Sequence, residues 1–134
     1  MIDGIIMFGV LAIFALIILS YVIYVQKLRK KLPVRVKHRI RMEWGHLRTL
    51  KEPSQRVMEA EKIADGLLKT LGYEGTFSDK LKKAGPMFAN NKSIWAAHRL
   101  RNQIAHETGM KVSVKEADRA VASFKLVVRM FVKI

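Results

Sequence analysis

The chain has 134 residues, enough for one compact domain beside a membrane segment. Its 25 Lys and Arg residues outnumber its 11 Asp and Glu residues, and the formal net charge of +14 favours acidic partners such as nucleic acid or an anionic membrane. The chain contains no cysteine, which excludes disulfide bonds, thiolate metal sites and cysteine nucleophiles.

Residues 4–25, "GIIMFGVLAIFALIILSYVIYV", form an uncharged and mostly apolar run that precedes every basic residue of the chain. As a helix, this run rises roughly 33 Å, enough to cross a hydrocarbon core of about 30 Å. A cleaved signal peptide would have a basic start and a small-residue cleavage site, whereas here Asp3 precedes the run and Tyr21 and Tyr24 stand near its end. Residues 1–25 are therefore predicted to be a retained transmembrane anchor.

A basic juxtamembrane joint is predicted over residues 26–33. Its cations are Lys27, Arg29, Lys30 and Lys31. Because positive residues stay on the cytosolic side, we expect a single-pass protein of the cell membrane, with its N-terminus outside and its C-terminal domain in the cytoplasm. The basic run continues to Arg41 without an acid, and it suits contact with anionic lipid or, alternatively, an electrostatic track for RNA. Pro33 disfavours a continuous helix through the joint.

Residues 34–134 are predicted to form an all-α cytosolic domain, because apolar residues recur every three or four positions and no convincing period-two run appears. The expected helices are residues 34–50, residues 53–71, a short helix between Thr76 and Gly85, residues 92–107, and a last helix after Ser113. Short connections indicate antiparallel neighbours. The predicted fold is thus an N-terminal transmembrane helix followed by an up-and-down antiparallel bundle of four to five helices.

Local signals mark several helix ends and the core. Thr76 with Asp79, and Ser113 with Glu116, have the spacing of capping boxes, and Gly72 is placed to end the second helix of the domain. The apolar positions expected in the core are Val36, Ile40, Trp44, Leu47, Val57, Ala60, Ala64, Leu67, Leu68, Leu71, Phe77, Leu81, Ala84, Ala117, Val121, Phe124, Val128 and Phe131.

The stretch "AHRLRNQIAHE", residues 97–107, concentrates polar side chains on one predicted helix. The positions expected to face the core are Ala97, Leu100 and Ile104, and those expected to point nearly opposite are His98, Asn102 and His106, with Arg99 beside them. Trp95 falls on the same polar stripe, which suggests a contact surface there. Arg101 lies between the two faces, where its long side chain could reach neighbouring helices.

Two interpretations of this polar stripe follow from its chemistry. It could be the solvated outer face that any bundle helix needs. Alternatively, Arg101 could bind a phosphate through two parallel hydrogen bonds, while His106 exchanges protons near neutral pH. Such a pair would suffice for metal-free cleavage of RNA with the ribose 2′-hydroxyl as nucleophile, and Asn102 would orient the histidine or the phosphate. On this interpretation, His98 and Arg99 are the neighbouring RNA-binding residues.

Other chemistries lack candidates in the sequence. His98 and His106 stand two helical turns apart without the carboxylate or thiolate that usually completes a metal site. There is no glycine-rich phosphate loop, nucleophile elbow or kinase signature. We therefore expect neither a metal nor another cofactor.

The same stretch resembles the signature of the HEPN superfamily (higher eukaryotes and prokaryotes nucleotide-binding domains), in which an Arg and a polar residue are followed after a short gap by a His. The matching residues are Arg101, Asn102 and His106, and a looser resemblance extends over residues 57–131. The resemblance implies a helical bundle that dimerises with its motif helices facing each other, which would place Trp95 at the dimer interface. For active members it implies metal-independent endoribonuclease activity, often in toxin, phage-defence or RNA-processing systems.

Carried onto this sequence, the resemblance implies that His106 transfers protons, Arg101 binds the phosphate and its transition state, and Asn102 is their polar companion. A membrane-tethered ribonuclease is the first functional hypothesis. The alternative is a membrane-anchored module of the same fold that dimerises, or binds nucleic acid or protein, without catalysis. A third hypothesis is an adaptor for a larger membrane complex. The possible partners are a second copy, RNA, and an antitoxin-like or membrane-complex protein.

Overall fold

The computed structural model describes residues 1–28 and 32–134, and the chain divides into one unit before Leu32 and a second unit, Leu32–Ile134. Within these ranges the structure contains six α-helices and no strand, which confirms the all-α prediction. The predicted juxtamembrane cations Arg29, Lys30 and Lys31, and the side chain of Lys27, lie outside the described residues.

The first unit contains one long helix, α1 (Ile2–Leu28). Its 23-residue section Ile2–Tyr24 is long and apolar enough to cross a membrane. The large apolar side chains of this section are exposed around the helix. A helix that is apolar on all sides has no polar face to turn towards water, as in a membrane span. The prediction of a helix capable of spanning a membrane is confirmed at this level.

The second unit is a helical bundle. Its helices are α2 (Val34–Leu47), α3 (Pro53–Thr70), α4 (Phe77–Ala84), α5 (Asn91–His106) and α6 (Val114–Arg129), with a 3₁₀ turn, Gly85–Met87, after α4. We expected α2 to reach residue 50, but it ends at Leu47, where the Thr49 hydroxyl donates a hydrogen bond to the His46 carbonyl. The Thr49 amide N–H donates to the same carbonyl at 2.9 Å, so the chain turns back on itself directly after the helix.

The capping boxes and the terminating glycine that the sequence predicts are present at the helix ends. At the start of α4 the Thr76 hydroxyl accepts the Asp79 amide N–H, and the Asp79 carboxylate accepts the Thr76 amide N–H. Ser113 and Glu116 form the same capping box at the start of α6. After α3, Gly72 adopts a φ of 95°, a left-handed conformation that costs glycine little. These local signals position α4 and α6 without help from the core.

The core lies around α3, which packs against α2, α5 and most extensively α6. Most of the predicted core positions are buried, whereas Val36, Leu100, Ile104 and Phe131 are partly buried against the same cluster. Arg56 near the start of α3 pairs with Asp118 near the start of α6, so an ion pair links the first turns of the two helices that pack most extensively. The buried face of α3 also contains one acidic residue, Glu61, which the sequence analysis did not single out.

Candidate functional site

The candidate site begins with the carboxylate of Glu61 on α3. Glu61 lies four residues after Val57 and three before Ala64, both of which are fully buried, so it shares their face of the helix. Only 5% of Glu61 is exposed. A buried carboxylate is strongly disfavoured unless charged or hydrogen-bonding groups surround it.

Two side chains of α5 supply these partners. His98 Nδ1 lies 2.8 Å from Glu61 Oε2, and Arg101 Nε lies 3.1 Å from Glu61 Oε1. Each carboxylate oxygen therefore faces a different side chain of the same helix. The cluster joins α3 to α5 across a sequence separation of 37 residues between Glu61 and His98.

The orientation of α5 differs from the prediction. Its buried residues are Ile94 and Ala97, whereas Leu100 and Ile104 are only partly buried. Arg101 follows Ala97 by four residues and Ile94 by seven, so it lies on the buried face and not on its flank. The sequence analysis left Ile94 out of the core, and the predicted core direction was consequently rotated away from Arg101.

His98 likewise does not belong to a solvated outer stripe. Only 12% of its side chain is exposed, and the ring of Phe77, the first residue of α4, lies over it with a centroid separation of 5.2 Å. The prediction that His98 points away from the core was therefore wrong. The helical periodicity of α5 could not show that the start of α4 covers this position.

Hydrogen bonds link Arg101, Asn102 and His98 along α5. Arg101 Nη1 donates to Asn102 Oδ1 at 3.4 Å, and Asn102 Nδ2 lies 3.2 Å from His98 Nε2. Because a guanidinium can only donate, the Asn102 amide oxygen faces Arg101 and its NH₂ group faces the imidazole. In the neutral imidazole, this arrangement makes Nε2 the acceptor and leaves the proton on Nδ1, which faces Glu61.

Burial raises the pKa of the Glu61 carboxyl above its ordinary value of 4.5. The hydrogen bond and charge of His98 and the charge of Arg101 oppose this shift, while the nearby Asp65 carboxylate adds to it. Asp65 in turn accepts a hydrogen bond of 2.7 Å from Lys80, whose side chain is almost completely buried. The two acids are thus held by separate cations on α5 and α4.

Arg101 is fixed at one end and open at the other. Its Nε atom is buried, and because its N–H is not aligned with the carboxylate, the contact with Glu61 is an ion pair and not a hydrogen bond. The side chain is nevertheless 33% exposed. Among the described residues, the Arg101 hydrogen bond found is the one from Nη1 to Asn102, so much of the guanidinium's donor capacity is not used within this cluster. The Arg101 side chain lines a cleft of about 550 Å³ that is also bordered by Lys62 and Asn102.

The structure joins some of the predicted site residues and separates others. Arg101, Asn102 and His98 belong to the cluster, whereas Arg99 is exposed beside it. His106 is the last residue of α5, is exposed, and has no side-chain hydrogen bond within residues 32–134. Trp95 is partly buried against the core, with its ring edge-to-face on His98 at a centroid separation of 6.0 Å. Its role as a dimer contact remains a prediction.

Glu61 and Phe77 are the members of this cluster that sequence reasoning missed as site residues. One signal for Glu61 was present, since an acid occupied a position within the apolar stripe of α3. In the described parts of the chain, no three His, Asp or Glu side chains converge as metal ligands. Comparisons of the chain with protein-family models, with curated proteins and with solved structures give no match.

Proposed function

We propose that this chain is a membrane-anchored HEPN-like domain that binds RNA and cleaves it without a metal ion, with Arg101, Asn102 and His106 as the acting residues. The observation that carries the proposal is the state of Arg101. Glu61 holds its Nε end, while a third of the side chain stays exposed on the lining of a cleft, where its guanidinium could bind an anion. A guanidinium that is already oriented loses less conformational entropy when it binds a phosphate.

The proposed reaction is an intramolecular transesterification of RNA. His106 removes the proton of a ribose 2′-hydroxyl, whose oxygen attacks the adjacent phosphorus. The bond from phosphorus to the 5′-oxygen breaks, the 5′-oxygen takes up a proton, and a 2′,3′-cyclic phosphate remains. Arg101 stabilises the negative charge that accumulates on the non-bridging oxygens, because its N–H donors match phosphate geometry.

A second copy of the chain completes this proposed site. Arg101 and His106 are five residues apart on α5, which places them about 140° apart around the helix axis. One α5 therefore presents the two side chains in different directions. Two facing α5 helices would bring an arginine of one copy towards a histidine of the other, with Trp95 beside the contact. An anchor at the cell membrane, with this domain in the cytoplasm, would concentrate the copies in one plane.

Cleavage of RNA by the full chain in detergent and chelator tests the proposal directly. We expect products with 2′,3′-cyclic phosphate ends, and at least a hundredfold loss of rate in His106→Ala. The matched control is His46→Ala, because His46 is also an exposed histidine in the last turn of a helix. Equal losses in both variants, or cleavage that requires a divalent metal ion, would contradict the proposal.

Mixing of two inactive variants tests the composite site. Arg101→Ala retains His106, and His106→Ala retains Arg101, so a mixed dimer contains one copy of each group. We expect the mixture to recover cleavage that neither variant shows alone. The control for Arg101→Ala is Arg56→Ala, which removes another carboxylate-paired arginine. If the mixture stays inactive although exchange of subunits is demonstrated, the two residues do not act across a dimer.

A second candidate function is a membrane-anchored module that dimerises or binds RNA or protein without cleavage. The observation in its favour is that Glu61 already partly neutralises Arg101, so that the cluster has a structural role of its own. RNA binding without cleavage, unchanged in His106→Ala, would support this function. Capture of an antitoxin-like or membrane-complex protein with no RNA binding would instead support an adaptor.

A further inference from the structure

The outward face of α2 combines cationic and apolar side chains. Ile40, Trp44 and Leu47 are buried and fix the inner face of this helix. At 100° per residue, Val34, His38 and Met42 point roughly 110–170° away from the centre of that inner face. All three are exposed, Val34 by 81% and Met42 by 64%. The outward face of α2 is defined here by these three residues with Arg35 and Arg41 on its two sides.

The charge of α2 is largely unneutralised. The helix contains the cations Arg35, Lys37, Arg39 and Arg41 and the single acid Glu43. The one ion pair among them, between Arg39 Nε and Glu43 Oε1, spans 3.8 Å between two exposed side chains and is therefore weak. Arg41 donates its Nε–H to the Lys133 carbonyl at 3.0 Å, which leaves its charge in place.

We propose that this outward face of α2 lies against a layer of anionic lipid headgroups. Cationic side chains on both sides of a central line that contains exposed Val34 and Met42 match the boundary between headgroups and acyl chains. The location of α2 in the chain favours this partner, because Val34 follows the end of α1 at Leu28 by only six residues. An RNA backbone would use the same cations but would gain nothing from exposed Val34 and Met42. The proposal is independent of catalysis and rests only on α1 entering a membrane.

The chain's lack of cysteine allows a direct test with one introduced label. His38→Cys in the full chain is coupled to a polarity-sensitive fluorophore and reconstituted into nanodiscs of phosphatidylcholine, alone or with phosphatidylserine. We expect blue-shifted emission and protection from aqueous quenchers only with phosphatidylserine, reversed by high salt. A label at Ala122→Cys, exposed on α6, is expected to respond to neither lipid.

Charge reversal provides the second measurement. Arg35→Glu with Arg41→Glu should abolish the response of the label at position 38, since each cation near an anionic surface contributes roughly fivefold to its occupancy. The matched control is Lys111→Glu with Lys115→Glu, which makes the same change of net charge at exposed positions beside and within α6. These controls should leave the response intact.

Three outcomes would overturn the proposal. The first is an identical response in both lipid compositions, and the second is a response that survives the reversal of Arg35 and Arg41. The third is protection of position 38 by added RNA in neutral nanodiscs but not by anionic lipid, which would assign this face to nucleic acid. Failure of the full chain to enter nanodiscs would remove the membrane premise as well.

Discussion

Glu61 and Arg101, on different helices, face each other with 3.1 Å between Oε1 and Nε, and this pair fixes the motif helix to the centre of the bundle. The same carboxylate also contacts His98 Nδ1 at 2.8 Å. Two of the three residues that resemble a catalytic motif, Arg101 and Asn102, thus belong to the cluster that joins α5 to α3. The following predictions separate the structural role of these residues from the proposed chemical one.

Glu61→Ala should lower the unfolding free energy of the segment 32–134 by about 2–3 kcal/mol, measured by urea denaturation. The substitution removes the acceptor of a charged hydrogen bond and leaves the buried Arg101 Nε without its counter-ion. The matched control is Glu59→Ala on the same helix, whose partner Lys62 is 75% exposed. We expect that control to change stability by less than about 0.5 kcal/mol. Equal effects would show that the cluster does not hold α5 to α3.

The pH dependence of stability should identify Glu61. The Glu61 pKa is 4.5 in the unfolded chain and is raised in the folded protein. At a pH between 4.5 and the raised pKa, the folded state therefore binds more protons than the unfolded state. This contribution is fully present below pH 4.5 and is lost as the pH rises through the raised pKa. We measure the free energy of unfolding of the wild type and of Glu61→Gln as a function of pH. The wild-type value minus the Glu61→Gln value should decline over that window and stay constant above it.

Two other acids with shifted pKa values, Asp79 and Glu116 of the capping boxes, also contribute to the pH dependence of stability. The backbone and hydroxyl hydrogen bonds of Thr76 lower the pKa of Asp79, and those of Ser113 lower the pKa of Glu116. Their contributions have the opposite sign, because they are present at higher pH and are lost as the pH falls through the lowered pKa values. Both acids remain in Glu61→Gln and cancel in the difference. A difference that rises with pH would contradict the assignment to Glu61.

Substitution of two neighbouring residues on α5 should affect the salt dependence of RNA binding differently. Arg99→Ala, which removes an exposed cation, should reduce the salt slope by about 0.7 for a single-stranded RNA. His98→Ala should leave the slope unchanged but cost about 2 kcal/mol of stability, because it removes a buried hydrogen bond to a carboxylate. If His98→Ala changes the slope while the domain stays folded, His98 contacts RNA after all.

Much of the fold could be predicted because its signals are local. Thr76 with Asp79, Ser113 with Glu116, and Gly72 act within a few residues of the helix ends they define. The period of apolar residues similarly gave the buried face of α2 and of α6. In each case the chemistry that forms the feature lies inside one short stretch of chain.

The candidate site could be predicted only in part, because it depends on which helices meet. Arg101 and Asn102 were identified from their residue types, but the pairing with Glu61 requires α3 to pack on α5. His98 was assigned to a solvated face because nothing in α5 reveals that Phe77 covers it. The omission of Ile94 from the core then shifted the predicted orientation of the whole helix.

The ion pair between the buried Arg101 Nε and Glu61 changes what the motif can indicate about function in related sequences. Because Glu61 needs a counter-ion, selection for a stable bundle is sufficient to retain the arginine, even in a chain that never meets RNA. His106 makes no comparable ion pair or side-chain hydrogen bond within residues 32–134. If the proposed cleavage is correct, a lineage that lost it would be free to exchange the histidine first and keep the arginine. Under that proposal, retention of the residue at position 106 would be the more informative sign of cleavage.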